Sequence, residues 1–194
     1  PEVPVDAAGK PLGAISQVTA VGNKVTLAAG TGAYRVTFLD DETLRVEADP
    51  SGTFSDPANT PQGDATRTAN IVVGLDEFAG TTPTVTDGAT ITLATAKVTL
   101  KIDKATGRMT LVRADGSVVW DESASLTFGA SSATQHLRTA TAEQFLGGGM
   151  QNGRSIHTGA TINIARNFDW DDDGYPNAVP YYMTSNGYGA LRNT

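Results

Sequence analysis

The stretch Asn167–Asn177 reads NFDWDDDGYPN, which places Asp169, Asp171, Asp172 and Asp173 around Trp170 and ahead of Gly174. Carboxylates at this density have three chemistries open to them. Asp169, Asp171 and Asp173 followed by Gly174 match the D-x-D-x-D-G opening of a calcium loop, in which alternate side chains wrap one hard cation. That match ends early: the twelfth position should carry a bidentate Glu, and here it is Pro180. Phe168, Trp170 and Tyr175 stand among the acids and point instead to carbohydrate. A carboxylate accepts hydrogen bonds from sugar hydroxyls, while a ring covers the apolar face of a pyranose. The third reading is an acidic turn without a ligand, because like charges are best tolerated where water screens them.

A second stretch, EQFLGGGMQNGRSIHTG from Glu143, resembles a phosphate loop at first sight. The G-x-G-x-x-G spacing fails because Asn152 stands where the third glycine belongs, and no Walker lysine follows. Gly147, Gly148 and Gly149 therefore read as a tight turn that needs positive φ. Gln151, Asn152 and Arg154 beyond it are polar groups able to brace a neighbouring loop or meet a ligand. His136 and His157 belong to no H-x-x-x-H pair, and no G-x-S-x-G nucleophile motif exists. Both histidines read as structural or surface residues, and no catalytic residue is assigned in this chain.

The composition narrows the partners. A formal net charge of −7 and a pI near 4.7 argue against nucleic acid and anionic membranes, whose phosphates need Lys/Arg clusters. No apolar run approaches the roughly 18 residues of a spanning helix. The 194 residues include no cysteine, which removes disulfides, zinc–thiolate sites and cysteine nucleophiles. Residues 1–16 open with PEVPVDAAGKPLG and read as a flexible leader. With the Ala/Thr/Gly/Ser-rich, acidic character, this suits a secreted bacterial protein whose signal peptide is already removed.

The elements that must position these groups alternate at period two. VTLAA around Val25, YRVTFLD from Tyr34 and TLRVEA from Thr43 each place apolar residues at every second position between turn formers. A Gly/Pro/Asn-rich loop is expected over 49–64 and a strand at NIVVGL from Asn70. Then ATITLAT, KVTLKIDKATG and RMTLVRADGSVVWDE form a meander in which Val98, Leu100 and Ile102 share one face and Lys97, Thr99 and Lys101 the other. Gly107 and Gly116 close its hairpins, and SLTFGA reads as one more strand. No window sustains a helical stripe; TAEQFL near Ala142 is too short. Many short strands separated by turns imply an all-β antiparallel β-sandwich over residues 17–194.

Taken in order, the C-terminal third resembles the end of the N-terminal domain of glycoside hydrolase family 31. The residues that carry the likeness are Glu143, Phe145, Gly147, Gly149, Asp172, Pro180, Tyr181, Gly187, Tyr188, Gly189 and Asn193, with GAYRVTFLDDETLRVEADP upstream similar to that domain's early strands. The resemblance implies a galactose-mutarotase-like sandwich from a retaining α-glycosidase or transglycosylase. Retention needs two carboxylates, a nucleophile and an acid/base, and in the family both lie on a following (β/α)₈ barrel. No βα alternation exists in this sequence, so the chain alone is expected to be inactive, with the barrel polypeptide in the same or a companion chain. A companion is also expected to cover Tyr181, Tyr182, Tyr188 and Leu191.

The resemblance further implies that a sandwich loop helps shape the substrate site. Asp172 would accept hydrogen bonds from an α-linked oligosaccharide, flanked by Asp171 and Asp173, with Trp170 and Tyr175 restricting its pose. The GGGMQNGR form is closest to members acting on α-1,3 or α-1,6 linkages or on N-acetylgalactosaminides. The expected substrates are α-linked gluco-oligosaccharides, with α-N-acetylgalactosaminidase, α-xylosidase and α-galactosidase specificities as alternatives. A stand-alone carbohydrate-binding sandwich is the rival function. No cofactor is expected beyond the calcium candidate Asp169, Asp171 and Asp173.

Overall fold

Alternation of branched and polar residues makes each segment a strand with one face to hide. The computed structural model describes residues 9–54, 79–162, 164, 174 and 177–192, and every strand pairing among them is antiparallel. The first four-stranded sheet is a meander of β2 (Ile15–Val21), β3 (Lys24–Ala29), β4 (Gly32–Phe38) and β5 (Leu44–Asp49). Its register sets Val25 opposite Val36 and Leu27 opposite Tyr34, so these side chains and Phe38 share the face that is fully buried. Here the structure exceeds the sequence pattern: all seven residues of β4 are buried, outward Arg35 included. Glu47 receives the Arg35 guanidinium through both carboxylate oxygens, at 2.8 and 2.9 Å, and the Phe54 ring lies 4.7 Å from its carbon. A paired guanidinium under an aromatic ring can be buried without an orphaned charge.

The larger sheet contains β1 (Lys10–Pro11), β6 (Thr84–Thr86), β7 (Thr90–Ala94), β8 (Val98–Asp103), β9 (Met109–Arg113), β10 (Val118–Phe128) and β11 (Ala133–Leu137). Val98, Leu100 and Ile102 face the core as the alternation requires, with Ile91, Leu93, Met109 and Leu111 beside them. Tyr34 joins the two sheets: its ring lies against Gly107 in the β8–β9 turn, where a Cβ would come within 3.0 Å of the hydroxyl oxygen. Gly107 also holds φ +73°, so both space and backbone exclude a side chain there.

Two expectations change. SLTFGA is not a separate strand, because β10 runs unbroken to Phe128 and absorbs irregularity as shifts against β11 around Ala124. The leader expected over 1–16 is structured in its described part: Lys10 and Pro11 pair with Phe128 and Thr127, and Ile15 is buried and donates its N–H to Lys104 O at 2.8 Å. By their internal contacts the residues group into two compact units, Pro1–Leu137 and Arg138–Thr194. The strand at Asn70 and most of the loop over 49–64 lie outside the described residues.

Glu122 is the polar exception in the core. Only 2% exposed, its carboxylate accepts from Met109 N at 2.8 Å and from Gln135 Nε2 at 2.6 Å. Burial raises its pKa, and the two hydrogen bonds only partly oppose that. Burial, then the charge of Glu122, pushes the Tyr34 phenol up to about 12. Asp40, Asp103 and Asp115 are lowered in contrast, chiefly by turn hydrogen bonds to Glu42, Thr106 and Ser117 respectively.

Two predictions follow from the core. Leu100→Ala should cost about 2–5 kcal/mol in chemical denaturation, the range for deleting a fully buried leucine; a loss under about 1 kcal/mol would contradict the packing described. Folded Glu122 holds its proton to higher pH than the unfolded chain, so its contribution falls as pH rises through that window, whereas the turn aspartates lose theirs as pH falls. Midpoints measured from pH 3 to 8 should show Glu122→Gln removing the decline on the upper side while leaving the acid limb in place.

Candidate functional site

Asp169, Trp170, Asp171, Asp172, Asp173 and Tyr175 lie outside the described residues, as does Asn193. The described part is the frame from which the acidic stretch leaves and to which it returns. That frame is a three-stranded sheet of β12 (Phe145–Met150), β13 (Asn177–Thr184) and β14 (Tyr188–Leu191). It brings together Phe145, Gly147, Gly149, Pro180, Tyr181, Tyr188 and Gly189 from the resemblance, with Gly187 in the β13–β14 turn.

The glycine run is not the tight turn expected but part of β12, where it faces a bulge in β13. Gly147 pairs with Tyr182 and Gly149 with Ala178, so one residue of β12, Gly148, faces three of β13, Val179, Pro180 and Tyr181. Proline has no N–H to give the ladder and is confined in sheets to edges and bulges, which is where Pro180 sits. Its carbonyl accepts from Arg192 N at 2.7 Å instead. Gly147, Gly148 and Gly149 all hold positive φ. A Cβ on Gly149 would run into Asn177 O and Val179 N, and one on Gly147 would lie 2.5 Å from Tyr181 O. Gln151 Nε2 donates to Gly148 O at 2.7 Å and Asn152 N to Gly174 O at 2.9 Å. The C-terminal end of the acidic stretch is thus tied to the end of β12 through Asn152–Gly174 and the pairing of Met150 with Asn177.

The entry to β12 is a clasped turn. Glu143 N donates to Ala140 O at 3.1 Å while Ala140 N donates back to Glu143 Oε2 at 2.8 Å. Ala142 takes φ +62° inside the turn, a position that ordinarily favours glycine. Glu143 Oε1 is buried with no hydrogen-bond partner. The Thr158 hydroxyl bridges Phe145 N and Glu143 O, and His157 N donates to Phe145 O at 2.8 Å. His157 is buried and His136 exposed, a structural and a surface residue respectively. Phe145, Tyr182 and Tyr188 stack on one face, with centroids 5.9 and 6.2 Å apart. Burial raises the pKa of both tyrosines, and the Tyr188 hydroxyl donates to Tyr182.

Sequence reasoning missed the Glu143 clasp and the brace at Gly148. The proline inside an otherwise apolar strand was the available sign of a bulge. No group of three His, Cys, Asp or Glu among the described residues could hold a metal; the calcium candidates Asp169, Asp171 and Asp173 lie outside them. Gly149→Ala should lower stability well beyond Gly116→Ala, since a Cβ on Gly116 meets nothing within 4 Å. The Gly116 change should cost about 1–2 kcal/mol for backbone strain alone. Equal midpoints for the two variants would contradict the bulge.

An isomaltosyltransferase from Sporosarcina globispora is 25% identical over 201 residues, covering 93% of this chain and 17% of the relative. A family 31 dextranase from Flavobacterium johnsoniae, solved with isomaltotriose, superposes with a TM-score of 0.71 at 17% identity over 93% of this chain and 22% of its own. A family 31 α-xylosidase from Xanthomonas citri matches with a TM-score of 0.60 at 26% identity over 95% of this chain and 18% of its own. The chain therefore spans about a fifth of each relative or less. The bulged sheet and the acidic stretch both fall within residues 33–194, which match the glycosyl hydrolase 31 N-terminal galactose mutarotase-like domain, and the chain belongs to that family.

Proposed function

We propose that this chain is the N-terminal sandwich of a retaining α-glycoside hydrolase or transglycosylase acting on α-linked gluco-oligosaccharides. The observation that carries the reading is the family match running through the whole acidic stretch. The isomaltosyltransferase relative adds the α-glucan class. The division of labour follows from chemistry. A retaining mechanism places two carboxyl groups about 5–5.5 Å apart, one attacking the anomeric carbon and one protonating the leaving oxygen. Those groups belong to the (β/α)₈ barrel of the complete enzyme. This chain contributes binding: Asp172 accepts hydrogen bonds from sugar hydroxyls, Asp171 and Asp173 flank it, and Trp170 and Tyr175 limit the poses open to the ring. The pairing of Met150 with Asn177 and the Asn152–Gly174 hydrogen bond hold the C-terminal end of that stretch.

The α-xylosidase neighbour favours a second specificity, because an α-xyloside differs from an α-glucoside only in lacking the C6 hydroxymethyl group. Assaying the complete enzyme on isomalto-oligosaccharides and on α-xylosides decides between them. With the better substrate, Asp172→Ala should lower kcat/KM by at least about tenfold, or about 1.4 kcal/mol of transition-state stabilisation. An unchanged KM and kcat would remove Asp172 from the site.

A further inference from the structure

Asparagine followed by glycine occurs twice in the chain, at Asn152–Gly153 and Asn186–Gly187. Both glycines hold positive φ, +80° and +77°, in turns where a side chain would be strained. The turn therefore dictates the residue, and the residue leaves its amide nitrogen unshielded by a Cβ. Such a nitrogen, once deprotonated, can attack the asparagine side chain before it. The two pairs differ in how that nitrogen is held. Gly187 N donates to Thr184 O at 3.0 Å, Asn186 N donates to the Thr184 hydroxyl at 3.1 Å, and Thr184 is itself buried. At the other pair the bonds lie upstream of the glycine: Gln151 Nε2 donates to Gly148 O at 2.7 Å and Asn152 N to Gly174 O at 2.9 Å. Gly153 is exposed, and its N–H has no acceptor among the described residues.

We propose that Asn152 is a site of spontaneous deamidation, with water and its hydroxide ion as the only reagents, and that the fold protects Asn186 from the same reaction. The Gly153 N–H gives its proton to hydroxide, and the nitrogen attacks Asn152 Cγ. A new N–Cγ bond forms, the Cγ–Nδ2 bond breaks, and Nδ2 takes a proton from water and leaves as ammonia. Water then hydrolyses the resulting succinimide: breaking the new N–Cγ bond gives aspartate, and breaking the original peptide bond gives isoaspartate. Nothing is oxidised or reduced. Each event adds one negative charge to a chain already at −7. Isoaspartate carries its carboxylate on the Cα of residue 152 and lengthens the main chain by one methylene. That carboxylate is set beside the Gly174 carbonyl that the same residue's N–H holds, and repulsion between the oxygens weakens the bond. The inference is independent of the proposed substrate.

The purified protein is incubated in mildly alkaline buffer, both native and fully unfolded in urea, and the tryptic peptides 139–154 and 167–192 are followed by mass spectrometry. Conversion raises the mass by a single unit, and fragment ions assign it to Asn152 or Asn186. Native Asn152 should convert at least about tenfold faster than native Asn186, the factor that about 1.4 kcal/mol of hydrogen-bond opening imposes. Unfolding should bring the two rates within about threefold of each other, since both nitrogens are then free. Equal native rates, or an unfolded chain that keeps the native bias, would overturn the proposal. The isoaspartyl form is then separated by ion exchange and compared with fresh protein by hydrogen exchange. Faster exchange at the residue 152 amide supports the weakened tie to Gly174, and unchanged exchange rules it out.

Discussion

Strand β10 changes neighbours at Glu122. Up to Asp121 it pairs with β9, and from Glu122 onward with β11. The backbone cannot serve both partners at the handover, and the Glu122 carboxylate does so, receiving Met109 N from one side and the Gln135 amide from the other. Burying that carboxylate is expensive, and two charge-assisted hydrogen bonds offset the cost only in part, which is why its proton is held more tightly than usual. Removing the acceptor would take from the buried Met109 amide the partner it has at Glu122. The same charge acts on Tyr34, which belongs to the opposite sheet and fills the space over Gly107. The two layers of the first unit are therefore joined by apolar packing around Tyr34, whose buried hydroxyl has no hydrogen-bond partner.

The C-terminal unit follows a different logic. Its sheet has no charged residue to define an outside, so only register decides which tyrosine faces which way. Tyr181 and Leu191 lie on one face, 40% exposed each, whereas Tyr182 and Tyr188 turn to the opposite side and pack with Phe145, so the four do not form the single surface expected. A one-residue slip would exchange the two sets. The glycines and Pro180 prevent that, because the bulge accepts neither a side chain nor a ladder hydrogen bond at the critical positions.

The meander was legible because Val98, Leu100 and Ile102 alternate against lysines, and a two-residue period with a charged outer face has one reading. Glu122 was not: within DESAS it looks like solvated surface, and nothing local reveals that Met109 and Gln135 converge on it. Lys10 and Pro11 read as leader because a two-residue strand leaves no period to detect. The glycine run was read for its backbone freedom, correctly, but freedom alone does not distinguish a turn from a bulge; the partner strand decides. The acidic stretch gave residue types suited to sugar, and the family assignment came from the ordered motifs around it rather than from the aspartates themselves.

The bulge in β13 opposite Gly148 separates two ladders with different registers: Phe145 to Gly147 on one side, Gly149 and Met150 on the other. Insertions or deletions between residues 151 and 176 press first on the short outer ladder, while the aromatic stack behind the bulge keeps its own alignment. The change of register thus divides the sheet into a half aligned by the aromatic stack and a half that answers to the connection from residue 151 to 176. A change in the length of this connection would then be absorbed at the short ladder without redesigning the scaffold.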